Sequence, residues 1–316
     1  MPHVAVVGSY NRDLSFALQR MPVAGETVIG ADLAEGPGGK GSNQAIQAAK
    51  AGALVALVAA LGADAAARDA LAFWRPLKID VRGIARKTKA PTGSAAILVE
   101  AGGANRIVVA SGANALLSAA DMRKAASVFK RARVVVGQLE VPVAATLAAF
   151  ALAHQAGATT LLNAAPAMGP LPQRLLHRID ILVANEIEAC ALTGLPPATP
   201  LQALVAALRH YARRTAIVTA GAAGAWLADR TNAPIRIAAP PAEIVDTTGA
   251  GDAFVGAFAA RFAADGDAYL ATCWGVAAGS LACRKRGAAS SYAGHAAIAR
   301  LARPYARLTL PGGKAP

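Results

Sequence analysis

The sequence predicts an α/β protein, a mostly parallel sheet wrapped in helices with a small sheet appended. Three observations carry that expectation. Short apolar, β-branched runs recur along the chain, each followed by a glycine- or asparagine-bearing turn and then a segment of helical periodicity, the alternation that builds parallel sheets. The runs are apolar at successive positions, as strands buried on both faces must be. One stretch, 81–110, breaks the pattern and reads as a hairpin inserted among helical units.

Taken in order, His3–Val7 is the first buried strand and ends at Gly8. Beyond it come Ser9, Tyr10, Asn11, Arg12 and Asp13. Asn11 and Asp13 alternate, so both side chains can project to one side at the strand's C-terminal end, where open α/β sheets take their ligands. Each is also an ordinary turn former. Residues 22–32 read as irregular or edge chain. The run Gly36-Pro37-Gly38-Gly39-Lys40-Gly41-Ser42-Asn43 then leads into a helical pattern at 44–51. It is not a Walker A loop, because Lys40 is followed by Gly41 rather than Ser or Thr and no glycine precedes Gly39 at the required spacing. Its amides and Asn43 instead suit a grip on vicinal hydroxyls at a helix start.

Residues 54–61 read as a second core strand and 63–74 as a helix. The hairpin pairs 94–100 with 106–110 through the turn Gly102-Gly103-Ala104-Asn105. A small sheet leaving an α/β core suits a lid that keeps water from a reacting group, and an exposed sheet edge invites dimerisation. Alternation then resumes. A strand at 134–138 leads past Glu140 to a helix at 142–156, and strands follow at 159–163 and 181–183. Asn185-Glu186-Ile187-Glu188 opens a helix; acids in a first turn complement the dipole, and such a carboxylate can also hold Mg²⁺ through water. A strand at 216–218 precedes the glycine-bearing turn from Thr219 to Gly224. No G-x-G-x-x-G follows a predicted strand, which disfavours a dinucleotide fold. Helices at 253–264, 269–283 and 294–302 and a loose tail at 311–314 close the chain. One compact domain over residues 1–316 is expected.

The stretch Asp246-Thr247-Thr248-Gly249-Ala250-Gly251-Asp252 carries the chemistry. It lies between a short apolar segment and a strongly helical one, so it opens a helix whose first amides lack internal partners and face a positive dipole end. Gly249 and Gly251 keep the backbone bare for an approaching phosphate. Asp252 falls in the first helical turn. An anion nest followed by a carboxylate suits phosphoryl transfer to a hydroxyl, with the acid accepting the hydroxyl proton. A glycine turn with a capping aspartate would show the same seven residues.

Composition bounds the alternatives. The chain has 55% hydrophobic and 16% charged residues, enough for a large core. No apolar run reaches the roughly 18 residues of a membrane span, and the N-terminus enters a strand pattern without the features of a signal peptide. A soluble, cytoplasmic protein is expected. Cys190, Cys273 and Cys283 are scattered, with no C-x-x-C, against a disulfide framework or a zinc site. The net charge is +13, from 32 Lys and Arg against 19 Asp and Glu. The cations are dispersed, Arg284-Lys285-Arg286 being the longest cluster, and aromatic residues are 5%, so a nucleic-acid partner is not expected. A basic surface that draws in anionic ligands is.

Several of these motifs in series resemble the ribokinase-like carbohydrate kinase family. They are residues 8–13, Gly25-Glu26-Thr27, Gly38 to Ala45, Thr92-Gly93, Gly112-Ala113-Asn114, Gln138-Leu139-Glu140, Asn185 to Glu188, Thr219-Ala220-Gly221 and Asp246 to Asp252. They come in the family's order and cover nearly the whole chain. The resemblance implies a ribokinase-like three-layer α/β/α core with a mostly parallel sheet and a small β-sheet lid, its lid segments at approximately 12–34 and 87–110. It implies transfer of the γ-phosphoryl group of ATP to the primary hydroxyl of a pentose, ribose first, with a nucleoside or another sugar as the alternative. Asp252 would be the base and the amides of Gly249, Ala250 and Gly251 the anion hole. Asn11, Asp13, Gly39, Lys40, Asn43 and Glu140, with Asp252, would line the sugar site; Asn185, Thr219, Gly221, Gly224 and Gly251 would line the ATP site. Glu188 would organise Mg²⁺. A loop of Asp246, Thr248, Ala282, Lys285, Gly287 and Ser291 would hold a monovalent cation, K⁺, and the lid would join a homodimer. Tyr10 and Arg12 are bulkier than is usual there; alternating with the inward pair, they are expected to face away.

Overall fold

The computed structural model describes residues 3–102, 105–167, 169–230 and 232–304. Gly103 and Ala104 of the predicted hairpin turn, and the tail at 311–314, lie outside them.

The strands are β1 (His3–Val7), β2 (Asn11–Leu18), β3 (Asp32–Gly38), β4 (Leu54–Val58), β5 (Ala60–Leu61), β6 (Ala85–Arg86) and β7 (Gly93–Glu100). After these come β8 (Asn105–Ala110), β9 (Val134–Gly137), β10 (Thr159–Asn163), β11 (Ile181–Asn185), β12 (Thr215–Thr219), β13 (Ala225–Asp229) and β14 (Ile235–Ile237). Eight form the main sheet in the order β14-β13-β12-β11-β10-β9-β1-β4. From β4 to β12 the pairs are parallel, and β13 and β14 add an antiparallel edge.

Each apolar run becomes a central strand because it has two faces to bury. Along β1, Val4 and Val6 enter one core cluster while Ala5 and Val7 enter the other; along β11, Ile181 and Val183 part from Leu182 and Ala184 in the same way. The helices Lys40–Lys50, Ala250–Asp265 and Ala268–Ala282 cover the first face. Val143–Gln155, Glu186–Thr193 and Leu201–Leu208 cover the second. The result is three layers, as expected. Two helices of the first layer approach closely, because a Cβ on Gly256 would stand 2.6 Å from the Gln44 carbonyl oxygen.

Chain order fixes where a ligand can enter. The chain leaves β1 for β4 on one side and later returns to its other flank as β9. At such a reversal the following loops splay apart and leave a crevice at the strands' C-terminal ends. Gly8 and Ser9 follow β1 there, and Gln138 and Glu140 follow β9.

The smaller sheet holds four strands, β3-β2-β7-β8, with β2 and β7 parallel. The predicted hairpin is β7 and β8. The other half, Asn11–Leu18 and Asp32–Gly38, falls largely in the lid segment at 12–34 that the resemblance implies, but local residue patterns did not mark it as strand. Polar and apolar residues mix along β2, and β3 contains Gly36 and Pro37. Both signals point to irregular chain, yet β3 is an edge strand, where a proline removes no ladder bond. Two further boundaries moved. The run at 54–61 is broken at Ala59, and β5 leaves to pair with β6. The Lys40–Lys50 helix starts four residues before its apolar pattern, with Gly39 at φ 83° as its N-cap.

Candidate active site

Asp252 is 7% exposed, in the first turn of the Ala250–Asp265 helix. Its two oxygens are held by different side chains of the neighbouring helix. Asn43 Nδ2 donates to Oδ2 at 3.0 Å, and Gln44 Nε2 donates to Oδ1 at 2.9 Å. The carboxyl plane is thereby set. Gly249, the N-cap at φ 74°, makes the turn that delivers the helix, and Tyr292 donates its hydroxyl to the Gly249 carbonyl at 3.2 Å. Burial, then the charges of Asp252 and Asp13, push the Tyr292 hydroxyl well above its ordinary range, so it stays a neutral donor. The Ala250 amide turns back onto the Thr247 carbonyl at 3.2 Å. Gly251 is exposed, and a Cβ there would meet nothing within 4 Å. The helix mouth is open at that point.

Beside it lies a group of acids around one lysine. Glu140 Oε2 accepts the first helical amide, from Lys40, at 2.9 Å, and also the Ser9 hydroxyl. A carboxylate at a helix N-terminus is favoured by the exposed amides and the dipole. Burial works against the Lys40 ammonium, but Asp252, Glu140 and Glu188 together outweigh it and hold the lysine above its usual range. Asp13 accepts no hydrogen bond among the described residues; burial first, then the charges of Glu140 and Asp252, push it up to about 7. Its carboxyl lies against the Gly38 backbone, where a Cβ would sit 2.0 Å from Oδ2. Asn11 is 3% exposed and its Oδ1 accepts from Asn114 Nδ2 at 2.9 Å. The structure thus brings Asn11, Asp13, Gly39, Lys40, Asn43, Glu140 and Asp252 together beyond the C-terminal ends of β1 and β9. Asn43 keeps its buried Oδ1 unpartnered, an acceptor suited to a hydroxyl.

Tyr10 and Arg12 are spent elsewhere. The Tyr10 ring packs edge-on against Trp74 at 5.3 Å, and Arg12 pairs with Glu35 in β3.

A second group stands farther along the sheet. Asn185 and Thr219 end β11 and β12 in register. Asn185 caps the Glu186–Thr193 helix in a reciprocal box: its side chain accepts from the Glu188 amide at 2.8 Å, and its own amide donates to Glu188 Oε2 at 2.9 Å. Burial raises the Glu188 carboxyl, against the opposing pull of the Asn185 amide and Lys40. Gly221 and Gly224 shape the turn after β12 at φ 48° and 93°; a Cβ on Gly221 would meet nothing, while one on Gly224 would strike the Ile237 carbonyl at 2.0 Å.

The third group is the loop before the helix. Asp246 accepts from the Thr248 amide at 2.9 Å, the Thr248 hydroxyl at 2.6 Å and the Gly287 amide at 2.8 Å. Burial opposes ionisation, but these bonds win and hold the carboxyl below its usual range. Gly287 therefore meets Asp246 through its N–H. The carbonyl of Ala282 accepts the Lys285 amide at 3.3 Å, and Ser291 Oγ donates to Ala288 O at 2.8 Å. Among the described residues no group of three or more His, Cys, Asp or Glu side chains is clustered to hold a metal.

Sequence reasoning assigned no role to four amide side chains, although Asn114, Gln44 and Gln138 lie in motifs it singled out. Asn114 brackets Tyr10, accepting from its amide at 3.1 Å and donating to its carbonyl at 2.9 Å. Gln44, Gln138 and Asn163 form a buried chain behind Asp252. Gln44 opens the helical pattern read at 44–51 and Gln138 directly follows an all-apolar strand, polar residues where the neighbouring pattern is apolar.

Similar proteins share this arrangement's fold. A curated ribokinase of Mus musculus is 40% identical over 259 residues, covering 81% of this chain and 80% of its own length. A deoxyribokinase of Salmonella typhi is 33% identical, covering 92% and 95%. The structure of Arabidopsis thaliana ribokinase complexed with ribose and ATP superposes with a TM-score of 0.87 at 30% identity, covering 96% of this chain and 99% of that one. The model of the pfkB family carbohydrate kinases matches residues 1–293. The chain therefore belongs to the pfkB family of carbohydrate kinases, phosphotransferases that act on a sugar hydroxyl.

Proposed function

We propose that this enzyme transfers the γ-phosphoryl group of ATP to the primary hydroxyl of D-ribose, giving ribose 5-phosphate and ADP. One observation carries the reading: a buried carboxylate, Asp252, is fixed by two amides one residue behind an open glycine at a helix N-terminus. The sugar lies in the crevice between β1 and β9, its hydroxyls gripped by Asn11, Asp13, Asn43 and Glu140 with the Gly39 and Lys40 backbone. As the hydroxyl oxygen bonds to phosphorus and the bond to ADP breaks, its proton passes to Asp252. An ordinary aspartate is far too weak a base to ionise an alcohol beforehand, so proton transfer comes late, and positioning with charge stabilisation supplies the rate. The amides of Gly249, Ala250 and Gly251 face the charge on the transferring oxygens, Gly251 best, since the Ala250 amide has a partner already.

ATP lies across Asn185, Thr219, Gly221 and Gly224. Mg²⁺ fits as an ion carried in on the phosphates, since the protein offers Glu188 rather than a cage, one oxygen tied to Asn185 and the other free to hold it through water. When bound it neutralises phosphate charge. The ionised Asp246 and the carbonyls beside it, with Thr248, Ala282, Lys285, Gly287 and Ser291, fit a weakly held K⁺ whose effect is to set the anion loop. The four-stranded sheet, to which the segments 12–34 and 87–110 contribute, acts as a lid within a single domain spanning 1–316. Every residue of β8 is exposed, Ile107, Val108 and Val109 among them, and this apolar edge supports a homodimer through the lid. No helix among the described residues is long and apolar enough to cross a membrane; we place the enzyme in the cytoplasm with its nucleotide, and assign it no nucleic-acid partner.

Deoxyribose is the second reading, favoured by the similarity to a deoxyribokinase. ADP release with ATP and ribose, deoxyribose, fructose, adenosine or pseudouridine separates them. Ribose is expected to give the highest kcat/KM, and a preference of more than about tenfold, roughly 1.4 kcal/mol, for another acceptor would replace it.

A further inference from the structure

We propose that Gln138 is a positioning residue, setting the direction of the hydrogen bond that Gln44 gives Asp252. This rests on Asp252 acting as the base.

The direction of each amide follows from the two ends of the chain. At one end, Asn163 Nδ2 lies 3.3 Å from the Val183 carbonyl, which can only accept, so Asn163 turns its Oδ1 the other way. Gln44 meets that Oδ1 at 2.9 Å and Asp252 Oδ1 at 2.9 Å with the same terminal atom. Both neighbours are acceptors, so the atom is Nε2 and its two hydrogens are used. Gln44 Oε1 must then accept, and Gln138 Nε2 donates to it at 2.6 Å. The chain runs one way, from Gln138 to Gln44 and from there to Asp252 and Asn163.

A glutamine amide is nearly symmetric in shape, and rotating it by half a turn exchanges donor for acceptor. Packing alone does not prevent that at Gln44. Electrostatics does: the flipped amide would aim oxygen at an anion and at another oxygen while its NH₂ faced the Gln138 donor. Gln138 therefore closes the alternative from the far side. It is fully buried, and its own Oε1 has no partner. A buried acceptor left unpaired is costly, and an apolar side chain would avoid that cost, so the donor is what this position supplies. Space for the amide comes from Gly8, where a Cβ would sit 2.0 Å from Gln138 Oε1. The three amides stand at the C-terminal end of β9, the C-terminal end of β10 and the first turns of the Lys40–Lys50 helix. The carboxylate of one helix is thus aligned by strand ends at the centre of the sheet.

The test is a double-mutant cycle in kcat with four variants, Gln44→Met, Gln138→Met, their combination and Gln138→Glu, alongside wild type and Asp252→Asn. Met matches Gln in length and lacks the amide. Gln44→Met is expected to lower kcat about 30-fold and Gln138→Met about tenfold, with KM for ribose and ATP within about twofold, because the contact acts on proton transfer rather than on binding. The double variant is expected to be no slower than Gln44→Met alone, since Gln138 acts through Gln44. Buried close to Asp252, Gln138→Glu takes a proton at neutral pH and donates its O–H to Gln44 Oε1, keeping the direction of the chain; it is expected to restore kcat toward wild type and to lose it as pH rises and the acid ionises, a profile that a merely structural role would not give. It also decides the matter if Gln138→Met does not fold. Multiplicative losses in the double variant, losses confined to KM, or a kcat in Gln138→Glu that follows pH no differently from wild type would overturn the proposal. A wild type and Asp252→Asn equally inactive toward every acceptor would instead overturn the reading of Asp252 as the base.

Discussion

The two halves of the crevice are built differently. On the side assigned to the sugar, side chains interlock and glycines are shape-critical: a Cβ on Gly38 would sit 2.0 Å from Asp13, and one on Gly39 2.8 Å from the Asn11 amide. On the side assigned to the nucleotide, Gly251 and Gly221 face open space, only Gly224 being packed against backbone, and Asn185 and Thr219 end neighbouring strands. One half is shaped before its ligand arrives; the other is a shallow shelf that a phosphate chain can lie across. Hydrogen bonds already made in the free protein need not be bought with ordering entropy at binding, which suits the half that must discriminate among hydroxyls.

Substitutions can break or sharpen this contrast. The largest effect is expected at the boundary itself. Asp252→Asn keeps the size and the bond to Asn43 within reach but cannot take a proton; kcat should fall about 100-fold or more with both KM values little changed, read by coupled ADP release. Near-wild-type turnover would remove Asp252 from the chemistry. Next comes a matched pair of glycines. Gly38→Ala forces Asp13 aside and should raise the ribose KM roughly tenfold or more. Gly251→Ala has room for its methyl, so its stability should stay within about 0.5 kcal/mol of wild type while the ATP KM rises several-fold. Equal effects of the two on ribose would erase the distinction between the halves.

The smallest effect is a pH dependence of the sugar half. The Asp13 carboxyl is raised from 3.8 to about 7 by burial and by Glu140 and Asp252. Its contribution to folding is thus fully present below pH 3.8 and is lost as pH rises through about 7, where the folded form ionises against its neighbours. Asp13→Asn should therefore raise Tm relative to wild type more at pH 8 than at pH 5, measured without ligand. An equal shift at both values would show that Asp13 is not the group responsible.

Much of the architecture was legible in the chain. The apolar runs at 181–183 and 216–218 mark central strands because both their faces are buried, and burial on two faces leaves no polar position there to confuse the period. The position of Asp252 in the first turn of a helix was legible locally, but its role was not, since a glycine turn with a capping aspartate has the same sequence and only the series of motifs along the chain favoured a site. The small sheet was only half visible. β7 alternates enough to be seen, but β2 and β3 gain their strand form from pairing with each other and with β7, and no local propensity announces that. The pairing of the Gln44 and Gln138 amides was invisible for the same reason taken further. Their partners lie 94 to 208 positions away, and glutamine carries no chemical signature until the fold has chosen its neighbours.

The contact at Gly256 ties these points together. It lets the helix carrying Asp252 rest directly on the backbone of the helix carrying Asn43 and Gln44. Two rods touching main chain to main chain have no cushion of side chains in which to slide, so a pull on either moves both. Warming then does not loosen the Asp252 carboxylate ahead of the scaffold, and loss of turnover on heating should coincide with collapse of the whole core.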